Sequence, residues 1–394
     1  MAQKKLLVAG GGHADIPLIQ AAQSLGYFVI TSGNRAPDRG HPYADQYCPA
    51  DFSDPQAMLE LARTLNIDAI CSSCNDFSAI SCAYVAEQLN LPGHDDYETS
   101  KIIHHKDAYR DFAHQHGIPA PKAQGFSDVD TAISAITTDF SLPVIVKPVD
   151  LTGGKGVMKI EHMSNIENAV QEAFSISKSK RVVVEEFIVG TNHGFTSIIR
   201  DGKVVFNFTD NEYYYLNKYM VSGASSPGLI PDHAVENLIK QTENISQILN
   251  LVDGIFHIQF ILQNDQPVII EICRRAPGDL YIEFVKLATG IDYPLWITKA
   301  FVGGDLSDLK QNDSQKFFTR HCIMGDKKGT LRELFFDPQI ADNVVDSFIW
   351  GKPGDLIEDP LIQKHGIVFL SFSSQDEMLA QSAQLQSLIV PVVE

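Results

Sequence analysis

Cysteine is sparse in this 394-residue chain. The six present, at 48, 71, 74, 82, 273 and 322, are too few for a disulfide scaffold and read as reduced thiols of a cytoplasmic protein. Cys71-Ser72-Ser73-Cys74 has the spacing of a redox pair, but it ends a strand-like Asp68-Ala69-Ile70 run. The second CxxC of a zinc site is missing. No apolar run approaches the roughly 18 residues of a membrane-spanning helix, and Met1–Lys5 leads into strand-like Leu6–Ala9 without the longer apolar segment of a signal peptide. Basic residues are outnumbered, 31 Lys and Arg against 49 Asp and Glu, for a formal net charge of −18. That balance argues against a nucleic-acid partner, which needs a basic surface, yet it leaves room for a local basic pocket around a small anion. Several catalytic signatures are missing too. Gly153-Gly154-Lys155-Gly156 has no G-K-[ST] at P-loop spacing, Gly10-Gly11-Gly12-His13 is not G-x-G-x-x-G, and no Ser-His-Asp or Cys-His pattern is present.

The length calls for two or three domains, and 44% hydrophobic with 20% charged residues is ordinary for a soluble globular chain. The first third alternates strand and helix signals. Leu6–Ala9, Phe28–Ile30 and Asp68–Cys71 read as strands, and Ile16–Leu25, Pro55–Leu65 and Ser78–Leu89 as helices, which implies parallel βαβ units. The Gly10–Gly12 turn is expected to touch a small anion. A helix over 100–117 stops at Gly117-Ile118-Pro119-Ala120-Pro121, a stiff extended linker that marks a domain boundary. Hairpins are expected from Phe195–Ile199 with Val204–Phe208 around Asp201-Gly202, and from Phe256–Leu262 with Pro267–Ile272. A long helix falls at Ala234–Leu249, and the last ninety or so residues read as a smaller α/β unit with a strand over 366–371 and a helix over 375–388.

The chemistry gathers around Leu142–Pro148. This β-branched run ends on Lys147 and is followed by the loop Thr152–Val157. Three glycines in four positions let the backbone fold around an anion, and a lysine at the end of a rigid strand adds a fixed cation. Five elements stand in order: Lys106 ahead of the proline linker, Lys147, the glycine loop at 153–156, the acidic strand end Glu185-Glu186-Phe187-Ile188, and a late hairpin carrying Gln259 and Glu271-Ile272-Cys273-Arg274-Arg275. This order and spacing resemble the ATP-grasp superfamily over essentially the whole chain.

The resemblance implies a fold of mixed α/β and α+β class. Residues 1–118 would form the pre-ATP-grasp α/β domain, 119–304 the two-lobed ATP-grasp domain with a mobile lid over about 123–185, and 305–394 a small C-terminal domain. It implies ATP and Mg²⁺, with Mn²⁺ as a substitute, and allows a homodimer. Lys106, Lys147, Gly153, Gly154, Lys155 and Gly156 would meet the phosphates, with Glu185, Glu186 and Ile188 at the adenine and His193 or Asn192 at the ribose. Glu271 and Gln259 would hold the metal, and Arg275 and Lys147 would act catalytically on the transferred phosphate. Arg274 would point to the other face. Cys273 stands where many members carry Asn; a thiol is a poor Mg²⁺ ligand, which leaves water or an acid such as Asp279 to complete the shell. Tyr213–Tyr215, Ser222–Gly228 and Arg275–Asp279 would line the acyl-substrate pocket. The implied reaction is ATP-dependent joining of a carboxylate, through an acyl phosphate, to an amine, with an amino acid or another small molecule as substrate and release of ADP and phosphate. The alternatives are a bicarbonate- or carbamate-activating enzyme and a non-catalytic nucleotide-binding relative.

Overall fold

The computed structural model describes residues 3–151, 154–312 and 316–394. Four parallel strands open the chain, ordered Gln46–Tyr47, Phe28–Thr31, Lys5–Ala9, Ala69–Ser72. Their short runs are apolar because helices cover both faces of a parallel sheet. Helix Pro55–Leu65 shows how locally its limits are set. The Asp54 side chain accepts from the Gln56 and Ala57 N–H groups, Pro55 takes the first position, and Asn66 ends the helix at φ 51°. The glycines of the first turn answer to packing. A Cβ on Gly10 would lie 2.3 Å from Ser73 Cβ, and one on Gly11 would lie 2.1 Å from the His41 ring. Close neighbours alone therefore require glycine at both positions.

The helix expected over 100–117 is two helices, Tyr97–His104 and Lys106–Gln115, separated by His105 in an extended conformation. The second places Tyr109 and Phe112 in a core shared with the large sheet, while Lys106, Asp107 and Arg110 meet charged partners elsewhere.

A small antiparallel sheet follows, ordered Ala123–Phe126, Val182–Glu186, Val144–Pro148, Met158–Ile160, and covered by helices Val129–Thr138 and Ile166–Ile176. The largest sheet has eight strands, ordered Gln266–Cys273, Gly254–Gln263, Thr191–Arg200, Lys203–Tyr213, Gly223–Ser226, Phe317–Ile323, Gly366–Phe372, Val344–Ile349. Both expected hairpins are present within it. Three strands of the C-terminal segment extend this sheet through pairing of Gly223–Ser226 with Phe317–Ile323, and three more, Leu356–Ile357, Gly329–Phe336 and Ile389–Val393, form a separate sheet. The helix expected over 375–388 is interrupted, giving Gln375–Ser382 and Leu385–Leu388. Among the described residues no helix is long and apolar enough to cross a membrane.

Candidate active site

The small sheet and the large sheet enclose a cleft of about 940 Å³, joined at one side by residues 187–190. Alternation along Val144–Pro148 sends Val144 and Val146 into the lobe's core and turns Ile145 and Lys147 to the cleft. Lys147 Nζ lies 2.8 Å from Glu185 Oε2, and Arg110 Nε lies 2.9 Å from Glu185 Oε1. Burial alone would raise the Glu185 carboxyl, but the two cations overcome it and bring it down to about 2. Glu185 is thus a buried anchor between two cations; burial lowers the Lys147 pKa, and Glu185 opposes that shift and holds the ammonium at the cleft wall.

Lys106 opens its helix from the other side. Its ammonium donates to the Leu151 carbonyl at 3.1 Å and lies 3.4 Å from Glu271 Oε1. Burial opposes that charge, but Glu271 and Asp76 raise its pKa. Gln259 and Glu271 are direct cross-strand partners, so both face the cleft. The Gln259 amide donates to Glu212 Oε1 at 2.8 Å, and the Tyr214 hydroxyl donates to Glu212 Oε2 at 2.7 Å. Arg275 donates from Nε and Nη2 to the two oxygens of Asp76, at 2.8 and 3.0 Å. His104 Nδ1 meets the same carboxylate at 2.9 Å. Burial would raise Asp76, but Arg275 and His104 hold it well below its usual range.

The glycine loop packs against the opposite lobe. Gly154 has φ +74°, and a Cβ there would lie 2.2 Å from the Tyr219 carbonyl oxygen, so no other residue fits. Lys155 is exposed at the cleft, Gly156 has φ +72°, and Gly153 lies outside the described residues. At the hinge, Glu186 is tied twice to Lys122: its N–H donates to the Lys122 carbonyl at 2.9 Å, and its Oε1 accepts from the Lys122 N–H at 3.0 Å. Ile188 also lines the cleft, and among the described residues its N–H has no partner.

A model of the phosphoribosylglycinamide synthetase ATP-grasp (A) domain matches residues 104–216. A phosphoribosylamine–glycine ligase of Pyrococcus furiosus is 26% identical over 329 residues, which is 78% of this chain and 73% of that protein. Two solved structures align over the full length of both chains: an L-amino acid ligase from Bacillus licheniformis (TM-score 0.81, 19% identity) and a phosphoribosylglycinamide synthetase from Anaerococcus prevotii (TM-score 0.78, 20% identity). Residues 104–216 thus resemble an ATP-grasp domain, and the chain as a whole shares the fold of these two solved structures.

Most residues singled out from the sequence meet in one cleft: Lys106, Lys147, Gly154, Lys155, Glu185, Glu186, Ile188, Gln259, Glu271 and Arg275 all line it. His193 does not. Burial lowers its pKa to about 4, its ring stacks on Phe260, and its nitrogens meet Thr191 Oγ1 at 2.6 Å and the Asp210 carbonyl at 3.3 Å. Strand alternation gives the cleft to its neighbour Asn192. Asn192→Ala is expected to weaken ADP binding by about fivefold, the weight of one hydrogen bond, and His193→Asn to leave it unchanged; titration with ADP measures both.

Two further residues have plain local surroundings. Cys273 turns its thiol to the Arg275 carbonyl at 3.6 Å, and burial pushes it up to about 12. Asp279 is matched by Lys364 at 2.5 Å, Arg320 and His13, which hold it well below its usual range despite burial. It is an interlobe anchor, not a spare metal ligand. Arg274 turns to the other face as expected and holds Asp95 at 2.8 Å. Sequence reading passed over Arg110, Glu212 and Arg320. Only Arg110 had a local signal, because it stands four residues after Lys106 on one helix face.

Proposed function

We propose that this chain is an ATP-dependent ligase that activates a carboxylate as an acyl phosphate and joins it to an amine, releasing ADP and phosphate. The observation that carries the reading is the convergence of Lys106, Lys147 and Arg275 with the oxygen donors Glu271 and Gln259 in one cleft. Relatives named as phosphoribosylamine–glycine ligase and L-amino acid ligase support the same class of chemistry.

Lys147 and Lys106 take the phosphate oxygens of ATP, with Lys155 and the 153–156 backbone over them as a lid. Adenine lies at the hinge, where the unpartnered Ile188 N–H is the open donor, and Asn192 meets the ribose. Glu271 and Gln259 supply hard oxygen donors on one rung of the sheet, a set that would hold Mg²⁺. Mg²⁺, when bound there, offsets phosphate charge.

A carboxylate oxygen then bonds to the γ-phosphorus as the β–γ bridging bond breaks and ADP leaves. The amine nitrogen bonds to the acyl carbon, and phosphate departs carrying that carboxylate oxygen. Arg275, fixed by the two-point grip of Asp76, is aimed at the oxygens on which charge develops. The protein's contribution is positioning and charge neutralisation. The working units are the α/β domain 1–118, the ATP-grasp domain 119–304 with its lid over about 123–185, and the C-terminal segment 305–394.

A screen of carboxylate and amine pairs, with and without bicarbonate, tests this reading. ADP and phosphate should appear in equal amounts and only when both organic partners are supplied. Release with bicarbonate alone, or ATP binding without turnover on any pair, would overturn it.

A further inference from the structure

We propose that His104 is a positioning residue for the transfer step: it locks the Asp76 carboxylate, through which the N-terminal α/β domain aims Arg275 at the transferred phosphate. The effect on rate rests on the ligase reading; the geometry does not.

Arg275 lines the cleft, and the plane of its guanidinium decides where its free donors point. A guanidinium has five N–H groups. Nε and Nη2 of Arg275 donate to Asp76 and Nη1 donates to the Ala276 carbonyl at 3.2 Å, which leaves 5 − 3 = two for the oxygens of a bound molecule. Asp76 therefore sets the aim. It opens helix Asp76–Leu89, whose first turn is fixed by the Asn75 side chain, an acceptor for the Phe77 N–H at 3.0 Å. The backbone is held, yet the terminal torsion of an aspartate is broad and roughly twofold. A two-point fork locks carboxylate and guanidinium to each other and leaves the pair free to swing together.

His104 removes that freedom. An ionised carboxylate only accepts, so His104 Nδ1 donates to Asp76 Oδ1, at 2.9 Å and from a second helix, Tyr97–His104. Oδ1 thus takes two donors, His104 Nδ1 and Arg275 Nε, and Oδ2 takes one. The His104 side chain is 0% exposed and lies outside the cleft lining, so it acts through Asp76 and not on a substrate. It borders a cavity of about 20 Å³ that Ser72 also lines, and its Nε2 and the Ser72 Oγ have no partner among the described residues. That volume holds about one water, which can donate to Nε2 and keep the ring proton on Nδ1. The break at His105 separates two neighbouring tasks: His104 ends one helix against Asp76, and Lys106 opens the next at the cleft.

Arg274 supplies the comparison. It too is gripped by a carboxylate of the N-terminal domain, Asp95, but its remaining donors go to the Val252 and Ile255 carbonyls and it lies outside the cleft. Loosening it disturbs the same domain contact without touching the aim of Arg275.

The full-length wild type is compared with three variants. His104→Leu keeps bulk without a donor, His104→Asn places an amide N–H near the position of Nδ1, and Asp95→Asn weakens the neighbouring grip. Turnover is read as ADP release with a carboxylate and amine pair that supports it. His104→Leu should lower kcat by about tenfold to a hundredfold, the effect of a small misplacement at the reacting centre, and change the KM for ATP by less than about twofold. His104→Asn should recover most of that loss. Asp95→Asn should melt at a lower temperature with kcat unchanged. In protein labelled with ¹⁵N-arginine, the Arg275 Nε–H signal is identified by its loss in Arg275→Lys. It should shift and exchange faster with water in His104→Leu, and keep its place in His104→Asn. An unmoved signal in His104→Leu, no recovery in His104→Asn, or an equal fall of kcat in Asp95→Asn would overturn the proposal. If His104→Leu does not melt cooperatively, His104→Gln, whose amide reaches toward the Nε2 position instead, takes its place. The arginine signal needs no turnover. A shifted signal in a chain that turns over no pair upholds the positioning and sinks the ligase, and steady turnover with an unmoved signal does the reverse.

Discussion

Glu271→Gln is expected to cut phosphate release by about a hundredfold or more, the cost of removing one preorganised electrostatic group from a reacting centre. The substitution keeps shape and cross-strand partner but removes the negative charge that faces Lys106 at 3.4 Å and the oxygen best suited to Mg²⁺. Because about a third of the Glu271 side chain is exposed, 32%, the loss should fall on activity and leave cooperative melting in place. Extra Mg²⁺ should restore part of the rate if weakened metal binding is the cause. Steady-state phosphate release across a magnesium titration measures both effects, and turnover near the wild-type level would remove Glu271 from the site.

Glu185→Gln should act on stability. Its carboxylate is buried between Arg110 and Lys147 at 2.9 and 2.8 Å, and a neutral amide would leave two buried cations without an anion. Breaking such a buried arrangement costs about 3 to 5 kcal/mol, which lowers the melting temperature of a domain-sized unit by roughly 5 to 15 °C. The pH dependence follows from the direction of the shift. Folding lowers the Glu185 pKa from 4.5 to about 2, so its contribution is complete above pH 4.5 and is lost as the pH falls through about 2. The gap between wild type and variant should therefore be full at neutral pH and close across that acid range. Equal melting at pH 7 would mean the buried triad contributes nothing. Phosphate release should fall as well, since Lys147 is aimed by the same carboxylate.

Much of this was readable because it is local. Pro55–Leu65 carries its own cap, its own proline and its own stop, and both hairpins announce themselves by their turns and alternation. Lys147 was legible because it ends a short β-branched strand beside Pro148, and Lys106 because it precedes the Gly117–Pro121 stop on a helical stretch. What escaped was decided by distant partners. Nothing near Glu185 tells that Arg110 will reach it, and nothing near Glu212 tells that Gln259 will donate to it across an intervening strand. The choice between Asn192 and His193 hangs on a parity of one residue, which only the sheet's register fixes. Gly10 and Gly11 show a distant cause as well: Ser73 and His41 crowd them, which no neighbouring residue in the sequence announces. The C-terminal strands announce themselves locally, but that three of them join the large sheet depends on Gly223–Ser226, nearly a hundred residues earlier.

Acyl-phosphate formation can be followed by the fate of one oxygen atom. With a carboxylate substrate labelled with ¹⁸O, and an amine that supports turnover, the phosphate released by the wild-type chain should carry one labelled oxygen for each ADP formed. Turnover that yields phosphate free of the label would contradict activation of the carboxylate in this cleft.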